Sequence, residues 1–224
     1  HFFIYLFYKY YKIYIFLMKF PINKYKSLNH FSNDYFKTLS DLSRSIDLDN
    51  LNKIVQVIER NYKSNKNKTF VCGNGGSAAL ANHYACDHQK ILFETKKIKP
   101  KIISLCSNTP LITAIANDNS YSEIFTDQLK YSSNKEDVLI IISSSGNSKN
   151  VIEAINYANK KGLITISFTG FNGGRCKRIS KYNINIPCYN YGIVEATHHS
   201  LMNIISQFIK NKLLSENMIK KTIF

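Results

Sequence analysis

Apolar residues recur at helical spacing across 40–63, where Leu42, Ile46, Leu51, Ile54, Val55 and Ile58 share one face. Asp47 and Asp49 are candidate N-caps for that pattern. A polar stretch, NYKSNKNK, separates it from the remainder of the chain. Beyond it short apolar runs alternate with helical stretches. The pattern predicts strands over 69–72, 101–106, 137–143, 163–169 and 182–188, and helices over 77–88, 110–116, 148–161 and 192–212. The run DVLIIIS is apolar at every position after its first and before its last, as in a strand buried on both faces. Strand–helix alternation with short connections predicts an α/β fold built on a doubly wound parallel sheet, with extra helices ahead of it. In such sheets ligands bind beyond the carboxyl ends of the strands. There is no internal repeat and no low-complexity linker, so 18–215 reads as one unit. Its N-terminal helices occupy 18–65 and the sheet domain 66–215.

Residues 1–17, HFFIYLFYKYYKIYIFL, are apolar and aromatic but are broken by Lys9 and Lys12. They lack the small-residue cleavage site of a signal peptide and are too interrupted for a membrane span. Met18 is the expected natural start, which makes 1–17 an upstream extension; a membrane anchor is the alternative reading.

Composition adjusts this picture in three places. The 224 residues are 44% hydrophobic, which excludes a largely disordered chain. The net charge is +15, a value that raises nucleic acid or a membrane surface as partners. The lysines, however, are dispersed among many Asn, Ile, Tyr and Phe, as an AT-rich coding sequence would produce, and form no basic cluster. No nucleic-acid partner is expected, and no membrane partner unless 1–17 act as an anchor. The five cysteines, Cys72, Cys86, Cys106, Cys176 and Cys188, have no C-x-x-C spacing. They read as free thiols of a reducing compartment, so a cytoplasmic location is expected.

Two loops carry candidate chemistry. CGNGGS joins a strand to the helix beginning near Ser77. Glycines there let backbone N–H groups approach an anion, and the helix start adds unpaired N–H groups and a positive dipole end. Asn74, Gly75 and Ser77 are candidate contacts; a purely structural turn is the alternative. SSSGNS, residues 143–148, also follows a strand and precedes a helix. Its hydroxyls on Ser143, Ser144, Ser145 and Ser148 suit a phosphate held by neutral donors, while Ser148 also suits an N-cap. Neither loop has the lysine of a triphosphate-binding P-loop or the G-x-G-x-x-G pattern. The implied ligand is a phosphomonoester, with no nucleotide cofactor.

His83 and Asp87 stand four residues apart, on one helical face. They suit two ligands of one metal, a base beside a polariser, or a solvated surface pair. The last long helix, YGIVEATHHSLMNIIS, places Glu195, His198, His199 and Asn203 within about two turns. A carboxylate one turn from two histidines is a second candidate cluster; core packing of one histidine and solvation of the other is the bland alternative.

The motifs CGNGGSAALANHYACD, ITAIANDNSYSEIF, ISSSGNSKNVIEAINYANKKG and FTGFNGG, in this order, resemble the sugar isomerase (SIS) domain family, and within it the phosphoheptose isomerases. The resemblance covers about 51–208. It implies a flavodoxin-like three-layer sandwich and an aldose–ketose isomerase that converts sedoheptulose 7-phosphate to glycero-manno-heptose 7-phosphate through an enediol, for surface-polysaccharide precursors. It also implies sugar-phosphate contacts from Asn74, Ser77, Ser143, Ser144, Ser145 and Ser148, with Asp118 near the substrate chain, and a homotetramer whose sites are shared between subunits. The family carries His at position 83 and Glu at position 87, where this chain has the shorter Asp. It offers a Gln and, eight residues later, a His on the closing helix as zinc ligands. One register puts Glu195 and Asn203 at those positions; the other puts Val194 and Met202 there. The zinc set that remains is His83, Asp87, Glu195 and His199, and the catalytic candidates are Asp87, Glu195, His198 and His199. Two rival readings stand beside the isomerase. One is a non-catalytic SIS-fold binder, of the kind that senses sugar phosphates or serves as an adaptor for a replication initiator. The other is an isomerase or lyase of a different sugar phosphate.

Overall fold

The computed structural model describes residues 18–64 and 66–224. The stretch 1–17, expected to be an upstream extension or anchor, lies outside the described residues. Among those described, no helix is long and apolar enough to cross a membrane.

Five parallel strands form one sheet: β1 (Thr69–Gly73), β2 (Ile102–Ser104), β3 (Val138–Ser143), β4 (Ile164–Gly170) and β5 (Tyr182–Ile186). Their spatial order is β2-β1-β3-β4-β5, so the order reverses between β1 and β3. Phe70, Cys72, Leu139 and Ile141 point to one face, against α4 (Thr109–Asp118), α5 (Thr126–Ser132) and α6 (Lys149–Lys161). Val71, Ile140, Ile142, Ile166 and Phe168 point to the other. That face is covered by α1 (Leu28–Arg44), α2 (Leu48–Lys63), α3 (Gly76–Phe93) and α8 (Tyr191–Leu213). A sheet buried on both faces needs the unbroken apolar run that 137–143 displays. The fold is the doubly wound α/β sandwich that the alternation predicts.

The helical pattern read across 40–63 is in fact two helices. Ser27 caps α1 by accepting from the His30 N–H at 3.3 Å. Asp47 caps α2 by accepting from the Asn50 N–H at 2.9 Å. The apolar stripe of α1 begins much earlier, at Phe31 and Tyr35, whose rings pack with Phe20 at 5.0 and 5.6 Å between centroids. Aromatic residues are so frequent in this chain that the stripe does not stand out from its surroundings. Two short helices also arise where the sequence predicted only loop or turn: α5, and α7 (Gly174–Ile179) directly after the NGG turn. The chain ends in α9 (Glu216–Ile219).

A chain of buried polar groups ties α2, α3 and α8 together. His88 Nε2 faces the Met202 carbonyl at 3.0 Å. A carbonyl only accepts, so the proton sits on Nε2 and Nδ1 is the acceptor. Tyr62 Oη then donates to His88 Nδ1 at 2.9 Å and accepts from Tyr84 Oη at 2.7 Å. Each hydroxyl and ring nitrogen of this chain is used, which is the condition under which a buried polar network is tolerated. Burial holds His88 neutral and lowers its pKa to about 3; burial likewise lowers that of His198 to about 4.

The linkage has a definite sign. Both folded-state values lie below the usual histidine value, so the unfolded chain binds more protons than the folded one. The stability involved is complete above about pH 6.5 and is lost as pH falls. Urea unfolding is expected to show falling stability between pH 6.5 and 5, before carboxylates titrate, with a shallower slope in H88Q. A flat profile over that range in the parent protein would contradict the assignment.

Candidate active site

The reversal of strand order sets β1 and β3 side by side in parallel register, Gly73 opposite Ile142. The loops leaving their carboxyl ends are therefore neighbours. Asn74 follows β1, and Asn150 lies in the first turn of α6. Their side-chain amides pair reciprocally: each Nδ2 donates to the other's Oδ1 at 2.9 Å. Tyr121 Oη adds a third bond, donating to Asn74 Oδ1 at 3.1 Å. These residues, with Ser120, Ser122, Ser148 and Lys149, line an open hollow of about 550 Å³.

The serine loop is shaped by its neighbours. Gly146 has φ +63°, a left-handed conformation that favours glycine. A Cβ there would stand 2.1 Å from the Gly173 carbonyl oxygen, so the turn after β4 presses on the serine loop at backbone distance. Cys176 N–H donates to Gly146 O at 2.9 Å, and Arg175 N–H to Asn147 Oδ1 at 2.9 Å. FTGFNGG thus buttresses SSSGNS. Within the loop, Ser143 Oγ accepts from the Gly146 N–H at 3.2 Å and Ser145 Oγ from the Asn147 N–H at 3.3 Å. Ser144 is buried, yet its Oγ has no partner. Ser148 stands at the N-cap of α6 without a side-chain capping bond, leaving its hydroxyl free of that role. Lys149 occupies the first turn of α6, where an acidic side chain would suit the dipole and none is present. The hollow therefore combines hydroxyls, a helix N-terminus and a cation.

Gly75 has φ +54° and open space where a Cβ would be, which leaves the front of the β1 loop clear. Ser77 is buried one position inside α3. Asp118 is exposed at the end of α4 and accepts from Asn117 Nδ2 at 2.9 Å; like Gly75, Ser77, Ser143, Ser144 and Ser145, it does not line the hollow. Tyr121, Lys149 and Asn150 line it and were not singled out in the sequence. Tyr121 lies within NDNSYSEIF, and Lys149 and Asn150 directly follow SSSGNS, so nearness to the motifs was the available signal.

A second group of residues lies along the seam where α8 packs on α3. Glu195 reaches the start of α3: a Cβ placed on Gly76 would stand 2.8 Å from Glu195 Oε2 and 2.9 Å from Oε1. Its carboxylate therefore rests on the glycine loop itself. One turn on, the His199 ring meets the His83 ring edge to face, 4.6 Å between centroids. His83 Nε2 lies 3.0 Å from Asp87 Oδ2, with both side chains partly exposed. Val194 and Met202 are buried, whereas Glu195 and Asn203 are half-buried. His198 turns the other way. It is fully buried, with Nε2 donating to the Thr169 carbonyl at 3.1 Å, a placement unlike that of a group exchanging protons with a substrate.

His83 contacts both Asp87 and His199, Glu195 lies against Gly76, and no group of three or more His, Cys, Asp or Glu side chains among the described residues is placed to share an ion.

Paired phosphate-type loops at the switch point of a flavodoxin-order sheet, with a carboxylate and imidazoles on the adjoining helices, define a sugar-phosphate-binding α/β protein. Residues 33–170 match the family described as SIS domain, and the chain belongs to that family. It falls with the phosphoheptose isomerases within it. It is 38% identical over 154 residues to the phosphoheptose isomerase of Helicobacter pylori, covering 68% of this chain and 79% of that protein. It is 38% identical over 165 residues to the probable phosphoheptose isomerase of Thermoplasma acidophilum, covering 73% and 90%. Among solved structures, phosphoheptose isomerase from Neisseria gonorrhoeae superposes with a TM-score of 0.73 at 27% identity, over 82% of this chain and 96% of that one.

The contact at Gly76 yields a direct test. G76A puts a methyl group where the Glu195 carboxylate now lies, and the carboxylate, at the end of a flexible side chain, must swing away. Turnover is expected to fall by about a hundredfold, the scale for a catalytic group displaced by about 1 Å, with the melting temperature nearly unchanged. Full activity in G76A would remove Glu195 from the chemistry.

Proposed function

We propose that this protein interconverts sedoheptulose 7-phosphate and glycero-manno-heptose 7-phosphate, supplying heptose precursors for surface polysaccharide. The observation that carries this reading is the contact between the Glu195 carboxylate and Gly76, because it joins a general base to the loop that grips the phosphate. The relatives named phosphoheptose isomerase support the choice of substrate.

The reaction moves two protons. One leaves C1 of the ketose and returns to C2; the other leaves the C1 hydroxyl and ends on the C2 oxygen. An enediol lies between. Glu195 accepts the C1 proton and returns it to C2 from the same side. In this reading His199 and His83, a turn further along the seam, pass the second proton between the oxygens. Asp87 orients His83 through the 3.0 Å contact. Asn74 and the serine loop hold the phosphate at the far end, where the hydroxyls of Ser144 and Ser148 and the charge of Lys149 supply the donors.

We infer that the seam is shared between copies of the chain in a homotetramer. Ile204 and Phe208 lie one turn apart on the outward face of α8 and are 51% and 48% exposed, an apolar pair suited to a second copy. Light scattering is expected to give a tetramer mass, and F208K a smaller species; a monomer in the parent protein would overturn this. The unpaired cysteines and a sugar-phosphate substrate support a cytoplasmic location.

Incubation with sedoheptulose 7-phosphate in D2O, followed by NMR, tests the chemistry. Aldose should form with deuterium at C2. E195Q should lower kcat at least about a hundredfold, as expected for loss of a general base, while phosphate-ester affinity is kept. Dialysis against EDTA should leave turnover unchanged; a loss that zinc restores would make ligands of His83, Asp87 and their neighbours. Tight ester binding without exchange would favour the non-catalytic binder.

A further inference from the structure

The peptide unit joining Thr169 to Gly170 is held at both of its polar atoms. Its carbonyl accepts from His198 Nε2–H at 3.1 Å, and its N–H donates to the Ser144 carbonyl at 2.9 Å. A side chain of α8 is thereby linked, through one peptide of β4, to the backbone of the serine loop. The facing carbonyl fixes the His198 proton on Nε2. Space at this point is tight: a Cβ on Gly170 would lie 2.6 Å from Val194 Cγ1 and 2.9 Å from Ser144 O.

Both outer members of this chain leave a buried polar atom without a partner, Nδ1 on His198 and Oγ on Ser144. The two residues are 0% and 5% exposed. A buried acceptor left unpaired costs stability, and an apolar side chain at 198 would avoid that cost. What the imidazole adds, and an apolar group cannot, is the N–H aimed at Thr169. That bond polarises the peptide and strengthens the N–H that holds Ser144. Ser144 Oγ, buried and without a partner, is then a hydroxyl fixed in place within the serine loop.

We propose that His198 is a positioning residue which, through the Thr169–Gly170 peptide, fixes Ser144 for the phosphate ester of the substrate. This rests on the sugar-phosphate reading of the site. It gives His198 a part in binding and none in proton transfer.

The test compares H198L, H198Q and H198N by calorimetry with inorganic phosphate and by steady-state turnover of sedoheptulose 7-phosphate. In H198L the phosphate dissociation constant and KM should each rise tenfold or more, with kcat lowered less than threefold. H198Q carries an amide N–H close to the Nε2 position and should return both constants to within threefold of the parent. H198N, with the same amide on a shorter stem, should not; the Gln–Asn pair decides the matter where H198L fails to fold. Unchanged phosphate affinity in H198L or H198N overturns the proposal, because the loop then does not need the bond. Failure of H198Q to recover overturns it too, because the ring then matters for itself. A parent protein that binds phosphate but does not isomerise the heptulose overturns the isomerase reading alone, and the phosphate affinities still judge His198. A parent protein that binds no phosphate overturns both.

Discussion

The parallel pairing of β1 with β3 is the constraint on which the rest of the site depends. Five register pairs, from Thr69 opposite Val138 to Gly73 opposite Ile142, bring two carboxyl ends to the same height. Their loops then have to share one small volume. That neighbourhood is what allows Asn74 and Asn150, 76 positions apart, to exchange two amide hydrogen bonds. Two loops stitched in this way act as one surface. A helix N-terminus alone is only a weak attractor. Together with the hydroxyls and Lys149 they make a polar hollow at the switch point of the sheet, where the topology leaves room for a ligand.

The seam between α3 and α8 lies on the other face of the sheet. The packing of α3 against α8 is registered by the Tyr84–Tyr62–His88–Met202 chain, which allows one arrangement of protons and so one alignment of the helices. With this alignment Glu195 meets Gly76 and His199 meets His83. A slide of α8 along α3 would break the buried His88–Met202 hydrogen bond, and a group left unpaired in the core costs about 1–3 kcal/mol. The polar core under the seam is thus a device of position, placed where a purely apolar interface would leave the helices freer to shift.

Much of this was legible in the sequence because the elements concerned are local. The apolar run at 137–143, the two glycine- and serine-rich turns, the Asp47 cap and the His83–Asp87 spacing each depend on a few neighbouring residues. What was not legible depends on pairing at a distance. Asn150 looks like any polar residue of a helix until it is seen facing Asn74. Tyr121 sits in a single turn of 3-10 helix whose place is set by contacts with α6. Asp118, expected beside the substrate chain, lies at the exposed end of α4, while Ser120 and Tyr121 of the turn after it line the hollow. His198 and His199 are adjacent in sequence and opposite in fate, since a step of about 100° around a helix separates a core position from a seam position. The period identifies both faces of α8; which face meets β4 and which meets α3 is decided by the sheet.

The division between grip and chemistry has a consequence for the family's range. The Asn74–Asn150 pair, Ser148 and Lys149 sit where the chain leaves β1 and β3, whereas Glu195, His199, His83 and Asp87 sit on two helices that meet the loops around the hollow at few points. One is Gly76 under Glu195; another is the Thr169–Gly170 peptide between His198 and Ser144. Substitutions along the seam can therefore alter the reaction without dissolving the phosphate site. Asp87, where the resemblance implies a longer acid, is a change of that kind: it lies turns away from Gly76 and leaves both stitched loops as they are. Where a seam residue keeps its contact with the loop, as Glu195 does, it remains coupled to the substrate whatever becomes of its neighbours. A fold arranged in this way holds its ligand by one set of elements and varies its chemistry on another, which is how isomerases and non-catalytic sugar-phosphate binders can share it.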